Sequence, residues 1–443
     1  MATIQDTPGK AIIQEAYIYN TASGVNVDVS KLLVSLDIYE DIYSPFVYCD
    51  MMVLDYDSFA SKFPLAGEEF FVLKYKSPRG KVVSYHFFLY KNDSGAATPL
   101  STAKGYVLRG VTLERAFDTG KTVNGAYTGS YAKIAAQIFD DFISKDTGGL
   151  QFNYEPSKSV GRYISPQASP LSAIEHCRAR SVSTSEAKSP FVFFRNSNGY
   201  TFMSLNGLFN QSASEAAAQK THTYASRTLP AEFSGQVNSG DIAVDIVSFD
   251  IATYYDTMSK IDSGAFNTDT YSFDLTTKSF TLRKRYNITD HASKFQLGGS
   301  QYYNRRAFAE NFANTRCVAY YMPTNMGMEL QGDTSTQKDF FPDHAGEMDA
   351  YLNLVSEYNI HYTMYGDSNV TAGQVMKIAV PKARDMAPSD GSGRTTNDSM
   401  FSGSFLLARV RHTMTFDGGV DYYVRVSAVN GARNMKIEDI KNE

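Results

Sequence analysis

The chain has 443 residues, 43% hydrophobic and 20% charged, which supplies cores for about two to four domains and excludes a disordered or low-complexity polymer. Its formal net charge of −5 excludes the strong basic field of a dedicated nucleic-acid binder. Cys49, Cys177 and Cys317 are odd in number and far apart, so neither a disulfide framework nor a zinc spacing emerges and a reducing compartment is expected.

Tyr (30) and Phe (29) fall mostly in alternating runs, which predicts mainly β structure. The first residues lack a basic start and an apolar core, so no signal peptide is expected. No apolar run approaches the roughly 18 residues of a membrane span. Synthesis and assembly in cytosol are expected.

Residues 32–38 alternate, with Leu32, Val34, Leu36 and Ile38 assigned to one face. After a break at Pro45, Val47, Cys49, Met51 and Val53 point inward, making Cys49 a small core residue. Ala66-Gly67-Glu68 then leads into a strand at 70–75, a second at 86–90, a Gly-containing turn, and a third at 104–113. These segments predict a first β-barrel domain over residues 1–117.

From 118 to 209 the pattern predicts a small α+β domain of two helices and a hairpin. Ile134, Ile138 and Phe142 recur at helical spacing behind an N-cap at Ser130, with Gly148 and Gly149 as a stop. A second helix is expected from Pro170 to about Arg180, then a tight hairpin over 191–205 turning at Asn198 and Gly199. Residues 211–220 read as a linker or weak helix.

Residues 210–256, extended around 243–251, and residues 349–432 predict a second, discontinuous β-barrel domain. Residues 257–348 form an inserted domain, with strands near 271–273 and 278–286. A short helix is expected at 348–358, a polar loop at 385–402 and a charged tail at 433–443. The second domain closes with Ala372-Gly373-Gln374, a strand at 375–380, and two alternating runs joined by a turn at Gly418. Leu406, Ala408 and Val410 take one face of the first run, and Leu407, Arg409, Arg411 and Thr413 the other. Gly67 and Gly373 thus open similar modules, because Gly adopts positive φ without steric cost. Two such modules imply a duplicated β domain.

Chemical motifs are few. Gly120-Lys121-Thr122 resembles the end of a phosphate loop, but Arg115 stands where Gly is required. On a helix Glu175, His176 and Cys177 diverge by about 100° per residue and cannot converge, so His176 reads as a packing or surface residue. Asp343, His344 and His361 lack any paired-ligand motif. Arg283, Lys284 and Arg285, and the pair Arg409 and Arg411, read as ordinary or cross-strand paired charges. No catalytic, cofactor-binding or metal-binding residues are assigned.

The Gly67 module, the helix-helix-hairpin, the interrupted second β domain and the closure at 369–429 follow one order. That order resembles the baseplate central hub protein of T-even-type contractile-tailed bacteriophages, related to the hub portion of type VI secretion spike proteins. The resemblance covers about residues 10–430 and is weakest over 257–348. It implies a structural protein and not an enzyme, a homotrimer that presents two similar tube domains per subunit. The ring would join a hexameric tail tube, or a tube-initiator protein, to a trimeric central spike, with baseplate wedge proteins around it. Genome DNA would pass through without specific binding, in a lumen depleted of Lys and Arg. The location implied is the virion tail baseplate, assembled in host cytoplasm. A tail-associated hydrolase, needing a convergent carboxylate pair or metal cluster, and a carbohydrate-binding β protein, needing exposed aromatic platforms, are the alternatives.

Overall fold

The computed structural model describes residues 9–21, 23–55, 63, 65–78, 80–94, 104–145, 147, 149–158, 160–185, 188–213, 221–224, 246–253, 256–274, 278–287, 318–324, 341–356, 358–380 and 401–430. The fold is mainly β. Its first part contains β1 (Ile12–Asn20), β2 (Val25–Asp28), β3 (Leu33–Asp41), β4 (Tyr48–Asp55), β5 (Glu69–Lys76), β6 (Val83–Ser94) and β7 (Lys104–Thr112), followed by helix α1 (Leu113–Thr119). Next come β8 (Ala126–Ser130), α2 (Tyr131–Phe142), β9 (Phe152–Tyr154), β10 (Val160–Ile164), α3 (Pro170–Arg180), β11 (Phe191–Asn196), β12 (Gly199–Ser204) and α4 (Leu205–Ala213). The remainder holds β13 (Thr221–Thr223), β14 (Ile246–Thr253), α5 (Thr257–Asp262), β15 (Asn267–Asp274), β16 (Ser279–Asn287), β17 (Val318–Thr324), α6 (Phe341–Val355), β18 (Asn359–Tyr365), β19 (Val375–Ala379), β20 (Gly403–Phe416) and β21 (Val420–Val429).

Thirteen strands from both ends of the chain share one sheet, ordered β14-β18-β21-β20-β3-β4-β7-β6-β5-β1-β2, with β19 on β20 and β13 on β19. Within it the order β3-β4-β7-β6-β5-β1 is repeated as β14-β18-β21-β20-β19-β13. The repeat extends to individual residue pairs. Leu33↔Val53 and Ser35↔Met52 flank a bulge in the first copy, and Ile246↔Met364 and Ser248↔Thr363 flank its counterpart. Leu89↔Gly110 and Lys91↔Arg109 flank a second bulge, matched by Leu407↔Ala428 and Arg409↔Ser427. Phe70↔Phe88 corresponds to Val375↔Leu406. Even the bond that ends the ladder recurs: Thr112 N–H donates to Val47 O at 3.0 Å, and Asn430 N–H to Tyr358 O at 3.1 Å. Bulges re-aim side chains and are structural features in their own right. The copies differ where β1 is antiparallel to β5 and β13 is parallel to β19, and at Ala252, a bulge in β14 without a counterpart in β3.

The long strand β20 joins the two. Its start, Gly403–Leu406, pairs with β19, and Arg409–Thr415 pairs with β3 along the same edge. Both copies also close into hydrogen-bonded circuits. Ala11 N–H donates to Val420 O at 3.0 Å and Tyr422 N–H to Gly9 O at 2.7 Å, which returns β1 to β21. A bridge between Tyr224 and Ile246 returns the β13 segment to β14. The β20–β21 hairpin belongs to both circuits. One apolar core runs through both, from Leu36, Ile38, Cys49 and Phe87 to Ile360, Val424 and Val426. Each such buried aliphatic or aromatic side chain stabilises by about 1.5–3 kcal/mol relative to exposure.

A second core lies under α2 and α3 and takes in Ile134, Ile138, Phe139, Ile174, Phe193 and Phe202. Ser130 caps α2 by accepting from the Lys133 N–H, and α3 spans Pro170–Arg180 behind Ser169 as its cap. In the third sheet β15 is antiparallel to β16 and parallel to β17, and α6 packs on it.

Several sequence expectations need correction. The bulge after Leu33 shifts the phase of β3, so the fully buried positions are Leu33, Leu36, Ile38 and Glu40, with Val34 only part-buried. α1 takes residues 113–119, where a strand run was expected to finish, and Gly120 is its C-cap. α6 begins seven positions before 348 and stops at Val355, with Asp343 in its first turn favouring an early start. Of the 211–220 stretch, the described part belongs to α4. The 385–402 loop up to residue 400, Cys317, Gly148 and the 433–443 tail lie outside the described residues.

Candidate assembly surface

The junction between the two copies is built from a row of side chains on the outer face of β20 and β3. Alternation on β20 sends Val410, His412 and Met414 inward and Arg409, Arg411 and Thr413 outward. Arg411 donates from Nε and Nη2 to the two Asp37 carboxylate oxygens at 2.9 and 2.8 Å. Thr413 donates to the same carboxylate at 2.7 Å, and Arg409 to Asp41 at 2.8 Å. The Arg411 guanidinium also lies 5.2 Å from the Tyr39 ring centroid. The bond to Asp37 raises the Arg411 pKa, while burial and the neighbouring Asp37 charge raise that of Tyr39. Cross-strand pairing, the ordinary reading of Arg409 and Arg411 in the sequence, is what the structure contains. It occurs between the two copies.

Beneath this row sits Glu40, 1% exposed. Tyr85 donates its hydroxyl to Glu40 Oε1 at 2.5 Å and Ser197 its backbone N–H at 3.1 Å, while the Ala372 N–H reaches Oε2 at 2.8 Å. One carboxylate therefore joins the first copy, the β11–β12 hairpin and the turn before β19. Burial, reinforced by the Glu40 charge, pushes the Tyr85 pKa well up. Asn196 adds a bond from its side-chain amide to Ala372 O at 2.9 Å. Lys81 donates to Ser197 Oγ at 2.9 Å and to Asn198 Oδ1. Sequence reading passed over Glu40, although the inward phase of Leu36 and Ile38 continues to it. Nearby, His412 Nδ1 lies 2.7 Å from the Tyr422 hydroxyl, with Tyr75 edge-on to Tyr422. Burial lowers the His412 pKa.

The turn residues take defined places. Ser197 and Asn198 form the loop of the β11–β12 hairpin, and Gly199 opens β12 with φ +126°. A Cβ on Gly199 would lie 2.7 Å from Gln151 O. Gly67 and Gly373 have φ of +89° and +87° and Gly418 has +65°. The strand register sets Glu69 level with Gln374, so Gly67 stands level with Ala372 and Gly373 one position later. The role shared across the two turns is that of an acceptor side chain. Glu69 accepts from Ala66 N–H at 2.8 Å and Gln374 from Thr371 N–H at 3.2 Å, each three residues back.

The candidate chemical motifs separate. Lys121 caps α2 by donating to Phe142 O at 2.5 Å. His176 stacks on Tyr163 at 5.0 Å, Cys177 is buried, and Glu175 pairs with Arg178. His344 lies on α6 near Lys284 and Glu347, whereas His361 faces outward on β18. Lys284 pairs with Glu347, and Arg285 makes two bonds to Asp269. Arg283 is the bulge residue of β16. Among the described residues no three His, Cys, Asp or Glu side chains group as metal ligands, and no helix is long and apolar enough to cross a membrane.

No protein-family model matches the chain, and no curated protein matches it by sequence. The chain is similar in structure to phage tail proteins. A tail protein from Neisseria meningitidis aligns at TM-score 0.48 and 10% identity, over 95% of this chain and 98% of that one. The 43 kDa tail protein of prophage MuSo2 from Shewanella oneidensis aligns at 0.48 and 8%, over 96% and 100%. An E. coli component of the type VI secretion system, described as similar to the T4 bacteriophage tail proteins gp27 and gp5, aligns at 0.43 and 10%, over 95% and 76%.

Proposed function

We propose that this chain is a structural hub of a contractile phage tail baseplate, a homotrimer that adapts the threefold symmetry of a central spike to the sixfold symmetry of the tail tube. The observation that carries the reading is the repeat of β3-β4-β7-β6-β5 in β14-β18-β21-β20-β19, with two bulges at matching places. Each chain offers two equivalent β units already joined edge to edge, so three chains offer six. In this reading each unit is a tube domain, and the residue 118–209 and 257–348 regions lie outside the tube. The ring encloses the channel for DNA and meets the tube or its initiator above, the spike below and wedge proteins around.

Light scattering of the purified protein, alone and with its candidate spike, tests this. A trimer, or a monomer that becomes three-to-three with the spike, is expected. A monomer indifferent to the spike at high concentration overturns it.

A second reading attaches to the third sheet. Tyr271, Phe280 and Tyr321 lie near-parallel with centroids 5.1–5.9 Å apart, and Phe280 and Tyr321 are 57% and 68% exposed. Such a cluster favours carbohydrate stacking by this sheet. A glycan array on wild type and Tyr321→Ala tests it, with absence of ring-dependent binding as the contrary result.

A further inference from the structure

The junction inside the chain is a template for a junction between chains. In the second copy, β19 covers β20 only to Leu406, and the stretch Arg409–Thr415 beyond the bulge receives β3. In the first copy, β5 covers β6 from Val83 to Phe88. Past the bulge at Tyr90, β6 pairs only with β7 among the described residues, so the edge over Lys91–Ser94 stands where β20 receives β3. The strand equivalent to β3 is β14. It pairs with β18 on one side, and from Ser248 onward its other edge meets no strand among the described residues. Among the described residues, the edge of β14 from Ser248 and the edge of β6 over Lys91–Ser94 thus correspond to the two edges that β3 and β20 join within the chain.

We infer that β14 of a second copy of this chain pairs antiparallel with β6 over Lys91–Ser94, repeating the β20–β3 junction. The inference rests on the hub reading for the number of copies and on the repeat for the edges. Arg411↔Tyr39 and His412↔Ile38 translate into Asp93↔Thr253 and Ser94↔Ile251, because Ala252 is a bulge residue of β14. Unmatched strand edges are templates for pairing. An interface between two different edges of one subunit is head-to-tail, so it builds a ring and not a symmetric dimer.

The two junctions differ in charge. The internal one carries Arg411–Asp37 and Arg409–Asp41, whereas the counterparts of Arg411 and Asp37 are Asp93 and Asp250, two carboxylates, of which Asp93 is already held by Arg109 at 2.9 Å and Lys91 at 2.8 Å. The ladder between chains therefore rests on backbone bonds, and salt that screens the two carboxylates favours it.

The competing arrangement uses the terminal strand of the sheet, β2, against β14. Disulfide crosslinking separates the two. The full chain, with Cys317→Ser to remove one native thiol, carries Asp93→Cys and Thr253→Cys; a second version carries Val25→Cys and Thr253→Cys. Circular dichroism of both versions is expected to match wild type. Under mild oxidation the first version is expected to give a covalent species of three chain masses, and the second none. Mixing chains that carry Asp93→Cys alone with chains that carry Thr253→Cys alone is expected to stop at two chain masses. A trimer by light scattering that crosslinks through Val25, or through neither pair, overturns the edge assignment and leaves the hub reading standing. A chain that stays monomeric with and without spike, and gives no crosslink, overturns both.

Discussion

Arg411 and Asp37, 374 positions apart, share two hydrogen bonds of 2.9 and 2.8 Å across the β20–β3 junction. Bidentate charge-assisted pairs are the stronger kind of surface interaction. Asp37 is 15% exposed and Arg411 38%, so solvent screens the pair only in part. Arg411→Ala should destabilise the chain by about 1–2 kcal/mol. Asp37→Ala should cost more, because Thr413 loses its acceptor too. A double-mutant cycle by urea unfolding checks this, and additive effects would deny the coupling.

Glu40 should be less tolerant. Removing its carboxylate leaves the Ser197 and Ala372 N–H groups and the Tyr85 hydroxyl without their acceptor. Glu40→Ala is expected to cost about 3–5 kcal/mol. Glu40→Gln keeps one acceptor oxygen and should recover part of the loss. Equal midpoints for the two variants would contradict this account.

Stability should fall with acid through His412. Its pKa lies below the ordinary 6.5, first because of burial; Lys81 lowers it further, while Glu40 and Asp367 oppose the shift. The unfolded chain then binds the proton more readily, so stability rises with pH in this range. The contribution is fully present above about 6.5 and is lost as pH falls from there toward the lowered folded value. His412→Asn should flatten the pH dependence of the unfolding midpoint between pH 7 and about 5. An unchanged slope would assign it elsewhere.

Two glycines should respond differently to alanine. Gly199→Ala brings a Cβ within 2.7 Å of a backbone oxygen at φ +126°, and about 2–4 kcal/mol is expected. Gly418→Ala meets nothing within 4 Å and suffers only the left-handed backbone, about 1–2 kcal/mol. Thermal midpoints in parallel test the ranking.

Much of the β structure was legible because one buried face writes a period of two. Val47 to Val53 and Tyr422 to Ala428 are buried in that rhythm. The helix starts were legible at the Ser130 cap and at Pro170, from local signals. The pairing of β20 with β3 was not, since no local signal fixes register between segments so far apart. Bulges hid the phase at Val34 and Ala408, where one extra residue turns the following side chains over. The repeat was visible as Ala-Gly-Glu and Ala-Gly-Gln, yet its structural counterpart lies one residue along, in the acceptors Glu69 and Gln374. Glu40 was missed because a carboxylate in an apolar phase reads as an interruption until its three donors are brought together.

The shared β20–β21 hairpin also sets an order of events during synthesis. Strands β3 to β7 leave the ribosome long before the hairpin that completes their circuit. Until residues 403–429 emerge, the outer edge of β3 and the start of β1 wait without the partners that close them. Non-local pairing of this kind is slow and leaves nascent chains open to wrong associations. The first half is therefore a dependent folding unit, and a nascent chain halted before residue 403 should require a chaperone to stay in solution.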